Sequence, residues 1–339
     1  MYKFINLFSF ILSFFLTLKL IPLINSFGLK NNILDRPNSR KQHKKPLVRI
    51  GGLAIYIGFL ITLIFLYVFS YFFDANLTNN IELNYFLLIT LSFFLIGLLD
   101  DFLNLSPLLR LISQICTCSF VWFLGLRIEN IYISIFNNNF LNYEVPLLLS
   151  LFITVVWIVG ITNSINWIDG LDGLASGVVL ISLFTFFFIS ISIKNEVSLL
   201  LIPIVFGTIL GFLKYNFYPS KILMGDCGSH FLGSTLAFFS FLPLTTNYSS
   251  LGTNFSFNFF YPIFILGVPL LDMVYVIFSR IIDKHSPFFP DRRHIHHRLL
   301  KVGISHKNAV LIIYSIQFLF CFFSFTIFRN NYHITNFVN

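Results

Sequence analysis

Long apolar stretches alternate with short polar connections along almost the whole chain. Each stretch is long enough to cross a bilayer core of about 30 Å as a helix. The pattern therefore predicts ten membrane-spanning helices, with both chain termini on the same side. The predicted spans cover residues 4–24, 51–73, 84–99, 108–126, 146–162, 173–191, 198–213, 230–245, 258–279 and 308–328.

Two segments bear on how these spans are counted. Residues 127–145 are compatible with a short hairpin, an interfacial segment or an eleventh span. The first apolar stretch is followed by no small-residue cleavage pattern, so we interpret it as a retained helix. We therefore predict an all-α polytopic membrane protein of ten or eleven helices, with residues 1–339 as a single domain.

Composition and charge support this fold class and give an orientation. Of the 339 residues, 56% are hydrophobic and 11% are charged, against roughly 25% charged in a soluble domain. Of the 22 basic residues, seventeen fall in or next to the odd-numbered connections, four lie on the opposite side, and Lys19 lies near the inner end of the first helix. Since loops rich in Lys and Arg stay in the cytoplasm, we predict a plasma-membrane protein with cytoplasmic connections at 25–50, 100–107, 163–172, 214–229 and 280–307.

Acidic side chains are concentrated in these cytoplasmic connections, at the predicted helix ends. Asp100 and Asp101 are adjacent carboxylates that repel each other unless a cation or a basic group compensates them. In the third connection Asn166 and Asp169 belong to a polar series with a three-residue spacing, beside glycines that allow close backbone approach. Asp226 lies between two glycines, which fits either a phosphate and metal site or a plain turn.

The last cytoplasmic connection combines histidine with arginine. His294, His296 and His297 are possible zinc ligands, but the neighbouring arginines favour an anion such as pyrophosphate; binding of phospholipid headgroups by a basic loop is the alternative. Arg49, next to a pair of glycines, is the part of the first connection expected to reach a ligand. Asp272 lies within a span and is expected to face the bundle interior.

The candidate residues together indicate a reaction class. Carboxylates favour Mg²⁺, with Mn²⁺ as an alternative, and Mg²⁺ is typically held by one or two carboxylates together with substrate phosphates. Phosphoryl transfer at a cytoplasmic active site follows as the predicted chemistry, with no nucleic-acid partner. The four cysteines form no disulfide framework and are interpreted as free thiols.

Six ordered motifs resemble those of the polyprenyl-phosphate N-acetylhexosamine-1-phosphate transferases, from about Asp35 to about Lys301. The last motif is more similar to the branch that loads N-acetylglucosamine 1-phosphate than to the phospho-N-acetylmuramoyl-pentapeptide translocase. The motifs read DRPNSRKxHxxPxxRxGG, GLLDDxxxLSP, NxxNxxDGxDGLA, KILMGDCGS, PLLD and DxxHIHHRL.

The resemblance implies roles for individual residues. The essential acids would be Asp100, Asp101, Asp169, Asp172 and Asp226. Of the remaining residues, Asn166 would approach Mg²⁺ together with Asp226, Gly170, Leu171 and Asn216 would lie near the uridine with Asp172, and His294, His296 and His297 would contact the diphosphate or the sugar. Where this family often has Phe, Leu223 stands here, so an aromatic stack on uracil is not carried over.

The resemblance also implies the reaction. An oxygen of a polyprenyl phosphate lipid would attack the sugar-side phosphorus of a UDP-N-acetylhexosamine and release UMP, at the first membrane step of cell-envelope polysaccharide synthesis. A one-step route is favoured over a route through an aspartyl-phosphate. UDP-N-acetylmuramoyl-pentapeptide as the donor, the identity of the amino sugar and a homodimer all remain open.

Two other functional classes fit less well. A transporter would use charges near the bilayer midplane, whereas Asp272 is the single acid within a predicted span. A transferase that uses cytidine-diphosphate alcohols would share the paired acids. After Asp172 and Gly173, however, this chain continues with Leu174 and lacks the arginine that such enzymes are expected to have.

Overall fold

A computed structural model describes residues 2–37, 45–72, 80–135, 139–241, 255–257, 260–286 and 292–338. Parts of three predicted spans (51–73, 230–245 and 258–279), of the connections 25–50 and 280–307 and of the segment 127–145 lie outside these residues. The helices are α1 (Tyr2–Lys30), α2 (Gly52–Phe72), α3 (Ile81–Leu103), α4 (Pro107–Phe123), α5 (Leu147–Ile168), α6 (Leu174–Ile193), α7 (Glu196–Asn216), α8 (Gly225–Phe239), α9 (Phe260–Ile265), α10 (Gly267–Ile282), α11 (Ile295–Lys301) and α12 (His306–Val338).

The helical bundle predicted from the apolar stretches is confirmed. Within the described part of the chain, seven helices are long and apolar enough to cross a membrane: α1, α2, α3, α5, α6, α7 and α12. The other predicted spans correspond to shorter helices, namely α4, α8 and the pair α9 and α10. The protein is therefore a multi-helix membrane protein, and the count of ten or eleven spans stays a prediction.

Several predicted cytoplasmic connections are shorter than expected, because the helices continue into them. The helix α5 extends to Ile168, beyond the predicted end at 162, and α3 extends to Leu103. Asn104 ends α3 in the left-handed conformation with φ 50°, and its N–H donates to the Asp100 carbonyl. Ser106 then caps α4, whose first residue is Pro107. Most candidate site residues consequently lie in the terminal turns of helices, which hold side chains more rigidly than loops do.

The span predicted at 258–279 is not one continuous helix, because the helix is interrupted at Leu266. Pro269 has no backbone N–H to donate to the Ile265 carbonyl four residues earlier, so the hydrogen-bond ladder is interrupted. Gln317 of α12 replaces the missing donor: its Nε2 donates to the Ile265 carbonyl at 2.5 Å, and its Oε1 accepts from the N–H of Val268 at 3.3 Å. The polar side chain thus joins α9 and α10 to α12.

Two small sheets correct the prediction of an exclusively helical chain. The strands β1 (Leu34–Asp35) and β2 (Leu47–Val48) pair antiparallel. The segment 127–145 contains an antiparallel hairpin of β3 (Ile128–Ile135) and β4 (Asn139–Glu144), as one of the three alternatives anticipated. A third strand, β5 (Phe255–Phe257), pairs parallel to β3. In β3, isoleucine recurs at every second position from Ile131 to Ile135, a two-residue period that favours a strand.

The helix α8 lies at the centre of the bundle and is approached closely by three others. A Cβ at Gly97 of α3 would lie 2.3 Å from the carbonyl oxygen of Asp226, and one at Gly52 of α2 would lie 2.2 Å from Gly228. On the α5 side, Gly233 of α8 packs directly against Thr162. Small residues of this kind let membrane helices pack backbone to backbone. The position of Asp226, in the first turn of α8, is fixed by these contacts.

Candidate active site

The helix ends that carry the candidate residues converge on one cleft of about 440 Å³. The convergence follows from the short connections: α3 ends where α4 begins, α5 ends where α6 begins, and α7 ends near the start of α8. The cleft is lined by Asp35, Arg49, Asp101, Asn166, Asp169, Gly170, Leu171, Asp172, Asn216, Leu223, Met224, Gly225, Asp226 and His297.

Asp101 joins the end of α3 to the beginning of α8. Its two carboxylate oxygens accept hydrogen bonds from the N–H groups of Asp226 and Cys227, both at 2.9 Å. A carboxylate at this place satisfies two free N–H groups and complements the positive end of the helix dipole. Gly225, with φ +76°, makes the approach possible, since a Cβ there would meet the backbone of Arg49. Asp101 therefore holds Asp226 in place.

Asp226 is the carboxylate most directly surrounded by polar groups. Asn166 Nδ2 donates to its Oδ1 at 2.5 Å, and Nη1 of Arg110 lies 3.7 Å from the same oxygen. The same Nη1 donates to Asp100 Oδ2 at 2.6 Å, so Arg110 bridges the two acids. Asp100 is thereby connected to the cleft without lining it.

Asp169 and Asp172 lie on the opposite wall, between α5 and α6. The pKa of Asp169 is raised to about 7, first by burial and then by three neighbouring carboxylates, those of Asp226, Asp172 and Asp101. Asp172 accepts a hydrogen bond from the N–H of Ser220, and its own N–H donates to His306 Nε2, both at 3.0 Å. Asp101, Asp169, Asp172 and Asp226 therefore face the cleft close enough to affect one another's charge, and one further acid lines it.

Asn216 and Arg49 make hydrogen bonds that hold the cleft walls. Asn216 Oδ1 accepts from the N–H of Gly173 at 3.0 Å, and its Nδ2 donates to the Ile222 carbonyl at 3.0 Å. Arg49 Nη2 donates to the Asp101 carbonyl and to Asn104 Oδ1. Both residues line the cleft as predicted, but their polar atoms connect helix ends to one another.

The histidine cluster is anchored by Asp272 of α10. His294 Nδ1 lies 2.7 Å from Asp272 Oδ2, and the N–H of Ile295 donates to Asp272 Oδ1 at 2.7 Å. Asp272 is buried, which confirms that it faces the bundle interior. Because the Ile295 N–H opens α11, this acid sets where the following histidines lie.

Within this cluster, His296 is buried beneath the cleft and His297 lines it. Burial, followed by the neighbouring rings of His297, His294 and His306, lowers the pKa of His296 well below its ordinary value. Its imidazole is therefore neutral at pH 7 and offers a single N–H. A Cβ at Gly170 would lie 2.2 Å from its Nε2, so Gly170 leaves the space that the ring occupies.

The structure brings most of the predicted site residues to the cleft, but not all of them in the expected way. Asp100 contacts Arg110, His294 contacts Asp272, and His296 lies under Gly170, so these three do not line the cleft. Among the described residues, no three His, Cys, Asp or Glu side chains are arranged as ligands of one metal ion, and the zinc alternative gains no support.

Arg110 and Asp35 are site residues that the sequence reasoning did not identify. Arg110 was counted as one of the charges that orient the bundle, yet it contacts two candidate acids. The available signal was its position one turn into the helix that follows the paired acids. Asp35, on β1, was counted among the cytoplasmic acids and lines the cleft.

The raised pKa of Asp169 predicts a pH-dependent stability in the absence of substrate and metal. Between about pH 4 and pH 7 the unfolded chain ionises this group while the folded protein retains the proton, so folded-state stability falls as pH rises. Asp169→Asn lacks this effect, and its thermal unfolding midpoint should exceed that of the wild type increasingly toward pH 8. Thermal melts in EDTA test this, and parallel pH profiles for the two proteins would contradict it.

Comparison with known proteins shows which proteins this chain is similar to. Residues 83–243 match glycosyl transferase family 4. A “probable undecaprenyl-phosphate N-acetylglucosaminyl 1-phosphate transferase” of Bacillus subtilis is 38% identical over 92% of this chain and 82% of that protein. An undecaprenyl-phosphate alpha-N-acetylglucosaminyl 1-phosphate transferase of Thermotoga maritima is 32% identical over 91% of this chain and 86% of its own length. A decaprenyl-phosphate N-acetylglucosaminephosphotransferase of Mycobacterium leprae is 33% identical over 82% of this chain and 72% of its own length.

Proposed function

This chain belongs to glycosyl transferase family 4, and we propose on that basis that it transfers N-acetylglucosamine 1-phosphate from UDP-N-acetylglucosamine to a polyprenyl phosphate, releasing UMP. The observation that carries the proposal is the convergence of Asp101, Asp169, Asp172 and Asp226 with His297 on one cleft at the helix ends. The names of the relatives supply the sugar and the lipid class.

The cleft is suited to a divalent cation, for which we propose Mg²⁺, with Mn²⁺ as an alternative. Five acids line it, and burial, followed by the charges of Asp226, Asp172 and Asp101, raises the pKa of Asp169, so a bound cation would relieve part of an existing cost. Asp226 and the side-chain oxygen of Asn166 would hold the ion, with substrate phosphates completing its ligands. Bound there, Mg²⁺ would neutralise charge that develops on the transferred phosphate.

The residues of the chain would position the two phosphate groups for reaction. Arg110, between Asp100 and Asp226, would present a guanidinium to the attacking lipid phosphate, with Asp100 fixing its orientation. A phosphate monoester is already mostly dianionic at pH 7, so the attack needs no strong base. His297 would donate a hydrogen bond to the phosphate of the departing UMP. Gly170, Leu171 and Asp172 would lie along the uridine. Catalysis would then rest on positioning and electrostatics.

The active site is proposed to open to the cytoplasm, in a bundle of ten spans. The charge distribution supports this orientation, because the connections that line the cleft belong to the set that carries most of the Lys and Arg residues. A UDP-sugar donor is made in the cytoplasm, which agrees with the same orientation. Labelling of single cysteines introduced at the exposed positions Ser106 and, on the other side, Glu196 would test it in intact cells.

The reaction itself is tested with the purified full chain in detergent. Polyprenyl phosphate, Mg²⁺ and UDP-[¹⁴C]N-acetylglucosamine should yield radiolabel in the lipid phase and an equal amount of UMP. UDP-N-acetylgalactosamine and UDP-N-acetylmuramoyl-pentapeptide serve as competing donors, and EDTA should abolish both products. After reconstitution into vesicles, uptake of label without release of UMP would contradict the proposal and indicate a transporter.

A further inference from the structure

Beneath the charged residues of the cleft lies a second, uncharged polar layer built from the same three helices. Gln114 follows Arg110 by one turn on α4, and His230 follows Asp226 by one turn on α8. On α5, Asn163 precedes Asn166 by three residues. Gln114 and His230 are fully buried, so the layer lies inside the bundle and makes no contact with a substrate in the cleft.

Hydrogen bonds run through this layer from one helix to the next. Asn163 Nδ2 donates to the Val159 carbonyl at 2.9 Å and to Gln114 Oε1 at 2.7 Å. Gln114 Nε2 lies 3.1 Å from His230 Nε2. The helix α4 packs mainly against α3 and α5, and two polar contacts connect it to α8: Arg110 to Asp226, and Gln114 to His230.

The Val159 carbonyl fixes the direction of every hydrogen bond in the layer. A carbonyl only accepts, so the Asn163 atom facing it must be the amide nitrogen, and the Gln114 atom that this nitrogen contacts must be the oxygen. Gln114 Nε2 then faces His230 and donates, which requires an unprotonated His230 Nε2. The His230 proton therefore resides on Nδ1, which is buried and has no hydrogen-bond partner among the described residues.

We propose that His230 is a positioning residue: as the neutral Nδ1–H tautomer it accepts from Gln114, fixes the rotation of α4 against α8, and thereby holds Arg110 between Asp100 and Asp226. This inference rests on the proposed function for its kinetic consequence. This tautomer costs stability at Nδ1, because a buried N–H is unfavourable when, as among the described residues here, it has no hydrogen-bond partner. Its value is geometric, since Arg110 and Gln114 point to α8 from the same face of α4.

The tautomer is tested by ¹⁵N NMR of histidine-labelled protein, with His230→Gln identifying the resonance. We expect protonated Nδ1 and unprotonated Nε2 for His230, the minor form of free histidine. A protonated Nε2 would overturn the proposal whether or not the protein transfers sugar. If the wild type releases no UMP, the proposed function fails while this measurement still decides the inference.

The kinetic test compares His230→Leu with His230→Gln, which keeps an acceptor for Gln114. His230→Leu should lower kcat about 10-fold, the range typical of residues behind a reactive group, with KM for UDP-N-acetylglucosamine little changed and thermal stability equal or higher. His230→Gln should recover most of kcat, and Gln114→Leu should add nothing further to His230→Leu. Ser234→Ala is the matched control, because the Ser234 hydroxyl donates within its own helix. Wild-type kcat in His230→Leu, or equal losses in Leu, Gln and control variants, would overturn the proposal.

Discussion

Asp226→Asn is expected to reduce the release of UMP by about 10²–10³-fold while the protein remains folded. Asn has the same shape and still offers an oxygen to Asn166, so the packing around α8 is kept. The substitution removes the negative charge that would hold the cation and that balances Arg110 at 3.7 Å. Turnover at saturating substrate and a thermal melt in the same buffer measure the two effects separately.

The matched control for this variant is Asp283→Asn. Asp283 follows α10, is half exposed and pairs with Arg293 outside the cleft, so turnover should stay within about twofold of the wild type. Titration with Mg²⁺ adds a second readout, since Asp226→Asn should need more cation for its residual activity. Retention of more than a tenth of wild-type turnover would remove Asp226 from the proposed centre.

Gly170→Ala should lower turnover about 100-fold, although it adds one methyl group at the cleft. The new Cβ would lie 2.2 Å from His296 Nε2, and the His296 ring cannot easily move. The ring is buried. The His294 ring stacks on it with the ring centroids 5.6 Å apart, and the centroid of the tilted His297 ring lies 4.3 Å away. The displacement would reach His297, which lines the cleft.

Gly160→Ala on α5 provides the control, because the nearest atom to its added Cβ is Met273 Cε at 3.8 Å. We expect this variant to match the wild type in turnover and to be slightly more stable, since Ala favours the helix. In Gly170→Ala combined with His296→Ala, the thermal midpoint lost in the single glycine variant should recover. Equal activities for the Gly160 and Gly170 variants would show that the contact with His296 has no role.

The sequence predicts the helices well because the bilayer imposes a simple requirement on apolar length. It predicts the candidate acids because a carboxylate at the end of a membrane helix is energetically costly, and its presence therefore indicates a functional role. Asp226 and Asn166 are in contact, as expected. Asp169 and Asp172 lie on the opposite wall of the same cleft. The sequence reasoning did not predict the break at Leu266, although Pro269 signals it, because apolar residues dominate the stretch on both sides of the break.

What the sequence does not reveal is which helices are neighbours. Arg110 looks like an orienting charge until α4 is placed beside α3 and α8. Asp101 resembles a catalytic acid, yet both its oxygens are occupied by the first N–H groups of α8. The bond between Gln114 and His230 spans 116 positions of the chain, a separation at which local patterns carry no information.

The glycine contacts around α8 limit which parts of this enzyme can change to accept a different sugar donor. Backbones that already touch at Gly52 and Gly97 cannot yield space for a bulkier sugar or a peptide without pushing α8, and with it Asp226, out of place. We therefore expect changes in donor choice to arise in segments outside these interfaces, such as residues 217–224. Directed evolution for altered sugars should concentrate its diversity there and leave the helix faces constant.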